Sequence, residues 1–136
     1  MPSYTVTAGQ RCGEPVSGGE PMDTDQDRHY LVCMSQCINR ALKYAEGGRS
    51  TFLGSLMAQD AVIWNLALIG KAAGQVSDEE KNTHPEVDWG CIKEFCADLL
   101  GNPWDYDRDR LWRCIEQELP VLQHDLRGIL VASHLK

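Results

Sequence analysis

The residues best suited to chemistry lie between positions 105 and 113, where acidic and basic side chains alternate around a tyrosine. They are Asp105, Tyr106, Asp107, Arg108, Asp109, Arg110 and Arg113. Paired carboxylates can hold a divalent ion, and guanidinium groups can grip a phosphate. The same pattern is also typical of a helix N-terminus, where aspartate caps the backbone and arginines pair in solvent. We therefore predict no metal site and no cofactor, and keep Arg108 and Arg110 as candidate substrate-binding residues.

Histidine and cysteine are the other residue types that could act as catalysts or metal ligands. The sequence holds four histidines and six cysteines: His29, His84, His124, His134, Cys12, Cys33, Cys37, Cys91, Cys96 and Cys114. His84 precedes a proline, which is typical of a residue that ends a helix. Most cysteines fall at buried-looking helical positions in a chain without an export signal. We predict reduced core thiols rather than disulfides or a thiolate metal site.

Composition narrows the class of protein. A length of 136 residues leaves room for one domain with one hydrophobic core. The net charge of −7 argues against generic nucleic-acid binding, so any surface for RNA has to be local. The opening MPSYTVTAGQR does not resemble a secretory signal, and no apolar run approaches the length of a bilayer span. We expect a cytoplasmic protein with no membrane association.

The chain divides into two regions of different composition. Residues 1–24 are rich in glycine and proline, with hardly a hydrophobic pair to offset the entropy lost on ordering. We predict a disordered tail over 1–24 and a helical domain over 25–136. From Asp25 onward, apolar residues recur at steps of three and four, which is the period of a helix packed on one face.

The helical region begins with two long helices. The first is predicted to run from Asp25 to Gly47-Gly48, where glycine can take the left-handed conformation that ends a helix. The second is predicted to run unbroken from a cap at Ser50 or Thr51 to Gly74.

Three further helices follow a short turn that Ser77 caps and His84-Pro85 ends. Asp88 caps a third main helix from Trp89 to Leu100, a fourth helix begins at Asp107, and Pro120 opens a fifth. No stretch alternates as a strand would. The sequence therefore predicts an all-α fold, an up-and-down bundle of four to five helices.

Several residues of the second helix stand out from its apolar pattern. Asp60 and Asn65 lie inside it, and polar groups in so apolar a stretch need hydrogen-bond partners. Gly70 and Gly74 lower helix stability, which indicates either a close helix approach, for instance at a dimer seam, or an evolutionary remnant. The four tryptophans, Trp64, Trp89, Trp104 and Trp112, are predicted core or interface anchors.

Three blocks of this sequence match one family in order and spacing. They are AQDAVIWNLALIGKAAGQVS, HPEVDW, and WDYDRDRLWRCIEQELPVLQHDL. In these blocks the chain resembles the HepT-like toxins encoded beside minimal nucleotidyltransferases, over nearly everything after the tail. The resemblance implies a helical bundle that forms a homodimer, degrades RNA when free, and is silenced by an MntA-type minimal nucleotidyltransferase antitoxin that transfers AMP onto a toxin tyrosine.

The resemblance also implies an active motif that this sequence lacks. The family motif is an arginine, about four residues, a histidine, one residue and a tyrosine, with histidine as acid or base and arginine on phosphate. Here Cys96, Gly101 and Pro103 stand at those three positions. Trp64 replaces a residue that is usually basic in the family. No catalytic residue can therefore be carried over.

Three functional hypotheses remain open. The first is a binding protein that keeps the bundle, the dimer face and the nucleotidyltransferase partner but has lost RNA cleavage. The second is an active ribonuclease that uses displaced residues such as Arg108 and Arg110. The third is a substrate-binding helical subunit of a nucleotidyltransferase. Tyr106 lies three residues beyond the vacated tyrosine position and is a candidate AMP acceptor, although packing beside Trp104 and Trp112 is the alternative.

Overall fold

The computed structural model describes residues 24–102 and 105–135, so the predicted tail before Thr24 lies outside the described residues. All regular structure in these ranges is helical, which confirms the all-α prediction. The elements are α1 (Thr24–Tyr44), α2 (Arg49–Leu53), α3 (Leu56–Gln75), α4 (Asp78–Thr83), α5 (Trp89–Gly101), α6 (Arg108–Arg113), a π-turn (Cys114–Glu118) and α7 (Leu119–Leu135).

Helix α3 is the centre of the bundle. Its apolar face packs along α1, and α5 and α2 also contact it, while α7 covers another side of α1. The apolar residues that are almost wholly buried come from α1, α2, α3, α6 and α7, and they include Met34, Ile38, Phe52, Val62, Ile69, Leu111 and Leu126. Burial of such side chains is the main favourable term in folding.

The second predicted helix is in fact two helices. Gly54 ends α2, and Ser55 caps α3 by accepting a hydrogen bond from the backbone N–H of Ala58 at 3.1 Å. The predicted cap at Ser50 or Thr51 is wrong, because α2 begins after Gly48, whose φ of 99° favours glycine. The sequence did not reveal this break, because the apolar residues keep the same helical period before and after it.

The last two predicted helices form one nearly continuous rod. Pro120 lies in the first turn of α7, and the backbone before it stays helical but widens into the π-turn, where Leu119 N–H donates to the Cys114 carbonyl. Proline has no N–H to donate to the preceding turn. The wider turn lets the helix continue without that hydrogen bond. Pro120 therefore does not start a separate helix as predicted, but follows a change of pitch within one rod.

Buried polar groups tie these helices together. Asp27, only 5% exposed, accepts hydrogen bonds from the backbone N–H and hydroxyl of Ser77, which joins α1 to the start of α4. Of the two polar residues predicted to need partners, Asp60 is exposed, so its carboxylate can be solvated. Asn65 is buried and donates to the Ala61 carbonyl, while its Oδ1 has no partner among the described residues.

The predicted N-terminal caps of the shorter helices are confirmed. Ser77 accepts from the N–H of Glu80, Asp88 from that of Cys91, and Asp107 from the first turn of α6. Within the described ranges, no helix combines the length and the apolar character that crossing a bilayer requires.

Candidate functional site

The polar cluster that best qualifies as a site is built on Gln59 near the start of α3. This side chain is 1% exposed, and its Nε2 donates to the carbonyls of Phe52 and Leu53 at 3.0 and 3.1 Å. Those carbonyls lie at the end of α2, where the regular helical bonding stops, and the Phe52 carbonyl also accepts from the Ser55 N–H at 3.1 Å. Their bonds fix the amide orientation and leave Oε1 free to accept from other groups.

Two candidate residues converge on that oxygen. Tyr106 donates its hydroxyl to Gln59 Oε1 at 3.2 Å, and Arg108 donates its Nε to the same atom at 2.9 Å. The Arg108 guanidinium lies 5.0 Å from the centre of the Tyr106 ring. The structure therefore brings together the predicted modification site and one predicted substrate-binding residue.

The electrostatics of this cluster keep the phenol protonated. Partial burial raises the pKa of Tyr106, and the carboxylate of Asp60 raises it further, while the charge of Arg108 opposes both. The neutral hydroxyl matches its role as a donor to Gln59. Arg108 is an exposed residue, and its Nη atoms have no hydrogen bond in the described residues, so they could contact a phosphate.

The other candidate arginine has a different neighbour. Arg110 lies with its guanidinium 4.6 Å from the centre of the Phe95 ring on α5. Asp109 forms an exposed ion pair with Arg49, which links α6 to α2. The cap at Asp107 is as predicted, but the predicted pairing of arginines within the run is not seen in the described residues, because Arg108 bonds Gln59 and Arg110 lies over Phe95. The hypothesis that Arg108 and Arg110 act on one substrate stays a prediction.

The position where the family motif has arginine is closed. Cys96 is 7% exposed, and its thiol donates to the Leu66 carbonyl of α3 at 3.1 Å. Gly70 lies directly opposite, because a Cβ added there would come within 2.9 Å of both Cys96 Cβ and Sγ. Burial raises the pKa of Cys96 to about 11, so the thiol is neutral at physiological pH. An arginine does not fit this seam without separating α3 from α5.

The other two motif positions offer no replacement chemistry. Gly101 is exposed at the end of α5, and Pro103 lies outside the described residues, as does Trp104.

His84 ends α4, as predicted, and its ring nitrogens lie 3.1 Å from a carboxylate oxygen of Glu80 and 3.5 Å from one of Glu86. These acidic neighbours would repel a phosphate.

The structure narrows the alternatives that the sequence left open for the glycines and for Trp64 of α3. Gly70 marks a close approach within the chain, between α3 and α5, whereas an added Cβ at Gly74 would meet open space. Trp64 is not a core residue, since it is 63% exposed. It shares the outer side of α3 with Met57, which is 82% exposed. By contrast, Trp89 is partly buried and donates to the His84 carbonyl.

The five described cysteines are free, in agreement with the reduced state predicted for them. Cys37, Cys96 and Cys114 are buried, but Cys91, predicted on the apolar face of its helix, is exposed. Over residues 24–102 and 105–135, no three histidine, cysteine or acidic side chains are grouped so as to hold a metal ion.

Sequence reasoning missed Gln59 as an organising residue. It belongs to the block that carries the family resemblance, but only Asp60 and Asn65 were singled out for their polarity. A signal was present, because an amide among apolar residues next to a glycine-serine helix break is well placed to satisfy exposed carbonyls. Tyr106 and Arg108, the partners of its oxygen, are 47 and 49 residues away, and nothing in the sequence indicated that they would bond Gln59.

Comparison with known proteins identifies similar sequences. A family model described as "Ribonuclease HepT-like" matches residues 34–129. The chain is 29% identical over 72 residues to a protein of Thermococcus cleftensis named "Probable ribonuclease HepT". That match covers 53% of this chain and 66% of the relative, so the chain spans just under two thirds of the relative's length. No solved structure matches the chain.

Replacing Gly70 with alanine should destabilise the protein, although alanine is the better helix former. The new Cβ must displace Cys96 and the α5 backbone that carries it, which should cost about 1–3 kcal/mol in urea unfolding followed by circular dichroism. Gly74→Ala is the matched control, because it meets open space and should gain up to about 1 kcal/mol. Equal gains from both variants would contradict the close approach of α3 and α5.

Proposed function

The chain belongs to the HepT-like ribonuclease family, and from that premise we propose that it is a toxin–antitoxin component that binds a minimal nucleotidyltransferase antitoxin and does not cleave RNA. It keeps the helical bundle of the family without the motif that carries the family chemistry. On this proposal, the protein acts through the surfaces that it presents to its partner and to a second copy of itself.

The closed seam at Cys96 is the observation that supports loss of cleavage. A ribonuclease of this family needs a guanidinium for phosphate and an imidazole for proton transfer. This chain has a buried thiol packed against Gly70 at the first position and an exposed glycine, Gly101, at the second. Helices α3 and α5 pack closely around Cys96, so no open space is left between them at this position. This argues against a different residue taking over the role of the family arginine there.

The cluster around Gln59 supports contact with a nucleotide-handling partner. It places the phenol of Tyr106 beside the guanidinium of Arg108 on an accessible side of the bundle. In the proposed modification, the phenol oxygen attacks the α-phosphorus of ATP, pyrophosphate leaves, and the phenol proton passes to a base of the transferase or to water. Arg108 would pair with the resulting phosphodiester.

The same cluster keeps an active ribonuclease as the second candidate. Arg108 could hold an RNA phosphate, with Arg110 as the other proposed contact. Among the described residues, however, no histidine forms a hydrogen bond with either arginine. A substrate-binding subunit of a nucleotidyltransferase is the third candidate, and it needs the same partner as our proposal.

The outer side of α3 is the surface that we propose for a homodimer. Met57 and Trp64 are seven residues apart, two helical turns, so they lie on one side, and both are largely exposed. Methionine and tryptophan are enriched at protein interfaces, and exposed apolar side chains that lie together on one face are typical of an interaction site.

Purified protein should leave RNA intact. We expect no products when it is incubated with total tRNA, because neither a guanidinium nor an imidazole occupies the motif positions. The control variant is Arg108→Ala with Arg110→Ala. Cleavage by the parent protein that disappears in this variant would contradict the proposal and establish the ribonuclease alternative, whereas cleavage that persists in both would point to a contaminating enzyme.

A minimal nucleotidyltransferase encoded beside this gene should bind the protein and label it with AMP from radioactive ATP. Tyr106→Phe should lose the label but still co-elute with the transferase in size-exclusion chromatography, because only the acceptor oxygen is removed. Tyr44→Phe is the matched control, since Tyr44 is an exposed tyrosine of α1 and should not alter labelling. Absence of a complex would refute the proposed partner.

The protein should be a dimer at micromolar concentration when measured by light scattering after size-exclusion chromatography. Met57→Glu combined with Trp64→Glu should give a monomer with unchanged circular dichroism, because two charges would be buried in the interface. Val131→Glu changes an exposed apolar residue of α7 and should leave the dimer intact. A parent protein that elutes as a monomer would argue against this face.

A further inference from the structure

An apolar groove runs between α5 and the segment that leads from the π-turn into α7. It exists because α5 packs chiefly on α3 and only sparsely on α7, which leaves a gap that Leu66 and Ile69 of α3 also line. The groove has a volume of about 280 Å³, near the lower end of the range of about 300–1,000 Å³ typical of small-molecule sites. No residue of the Gln59 cluster lines it, whereas Cys96, at the arginine position of the family motif, does.

The walls of the groove are apolar. Ile69, Phe95 and Leu119 form buried parts of the lining, and Ile92 and Leu122 are partly accessible within it. The thiols of Cys96 and Cys114 also line it, and burial raises the pKa of both, so they present neutral sulfur. These walls favour an apolar body, and apart from the Gln117 amide and the carboxylates they offer no strong donor or acceptor to a polar one.

The rim carries charge of one sign. Its carboxylates are Glu86, Asp88, Glu118 and Asp125, and the lining contains no lysine, arginine or histidine. After burial, Asp88 and Glu118 are the largest causes of the raised pKa of Cys91, so their charge reaches the groove wall. Arg110 opposes part of it from behind the Phe95 ring. An anionic ligand would therefore be repelled and a cation attracted.

We propose that this groove binds a small organic cation, a protonated amine carried on an alkyl or aryl body. The body occupies the apolar walls, and the ammonium group donates hydrogen bonds to the rim carboxylates, of which Glu118 and Asp125 flank the start of α7. The segment of this chain before α1 is a poor occupant, because it has one arginine against three carboxylates. A protein partner is also disfavoured, since a stable interface buries roughly 800 Å² on each side.

Three compounds that differ only in their head group test this assignment by calorimetry on the full chain. They are 4-phenylbutylamine, 4-phenylbutan-1-ol and 4-phenylbutanoate. The amine should bind about tenfold more tightly than the alcohol, because charge-assisted hydrogen bonds are stronger than neutral ones, and the carboxylate should bind most weakly. Equal binding of all three, or no binding of the amine, would overturn the proposal.

Variants of the groove test where the compounds bind and distinguish the effect of the rim charges from that of the apolar walls. Glu118→Gln with Asp125→Asn should remove the preference for the amine and leave the affinity for the alcohol unchanged. Glu46→Gln with Glu79→Gln removes the same charge from exposed positions away from the groove and should preserve that preference. Leu122→Trp should block all three compounds. An amine preference that survives the rim variant, or a groove that binds a lysine-rich peptide but not the amine, would refute the assignment.

Discussion

The structure depends on how closely α3 can approach its neighbours. At one end of this helix, Gln59 closes the carbonyl end of α2 and positions Tyr106 and Arg108. Farther along, Gly70 lets α5 come so near that the Cys96 thiol reaches the Leu66 carbonyl. Interiors are packed as densely as organic crystals, so a larger residue at either place has nowhere to go without moving a helix. The contact between Gly70 and Cys96 thus lies where the family motif has arginine, while the Gln59 contacts join the two candidate residues.

Local rules explain which parts of the fold were predictable. The caps at Ser77, Asp88 and Asp107 depend on backbone N–H groups two or three residues away, so sequence alone sufficed. The all-α class followed from apolar periodicity. The break at Gly54-Ser55 was missed because the apolar residues keep their helical period across it. The wide turn before Pro120 was missed because it changes hydrogen bonding and leaves the pattern of residue types unchanged.

The site was only half accessible to sequence reasoning. Tyr106 and Arg108 were candidates because of their residue types and their place relative to the family motif, and the structure brings them together. Gln59, the residue that joins them, depends on contacts across 47 and 49 positions of sequence, which no local pattern encodes. In the same way, the close approach indicated by Gly70 could be assigned to α5 rather than to a second protomer only from three-dimensional contacts.

The π-turn has a consequence for how this chain can vary. It adds one residue to a helical rod without adding a loop, and both its first residue, Cys114, and the residue after it, Leu119, remain buried. An α-helix turns about 100° per residue, so an insertion there would ordinarily swing everything beyond it away from the core. Because the extra residue forms a local bulge, the residues of α7 beyond it keep the same side of the helix turned toward the core. Homologous chains that are one position shorter can therefore preserve the same buried side of the final helix.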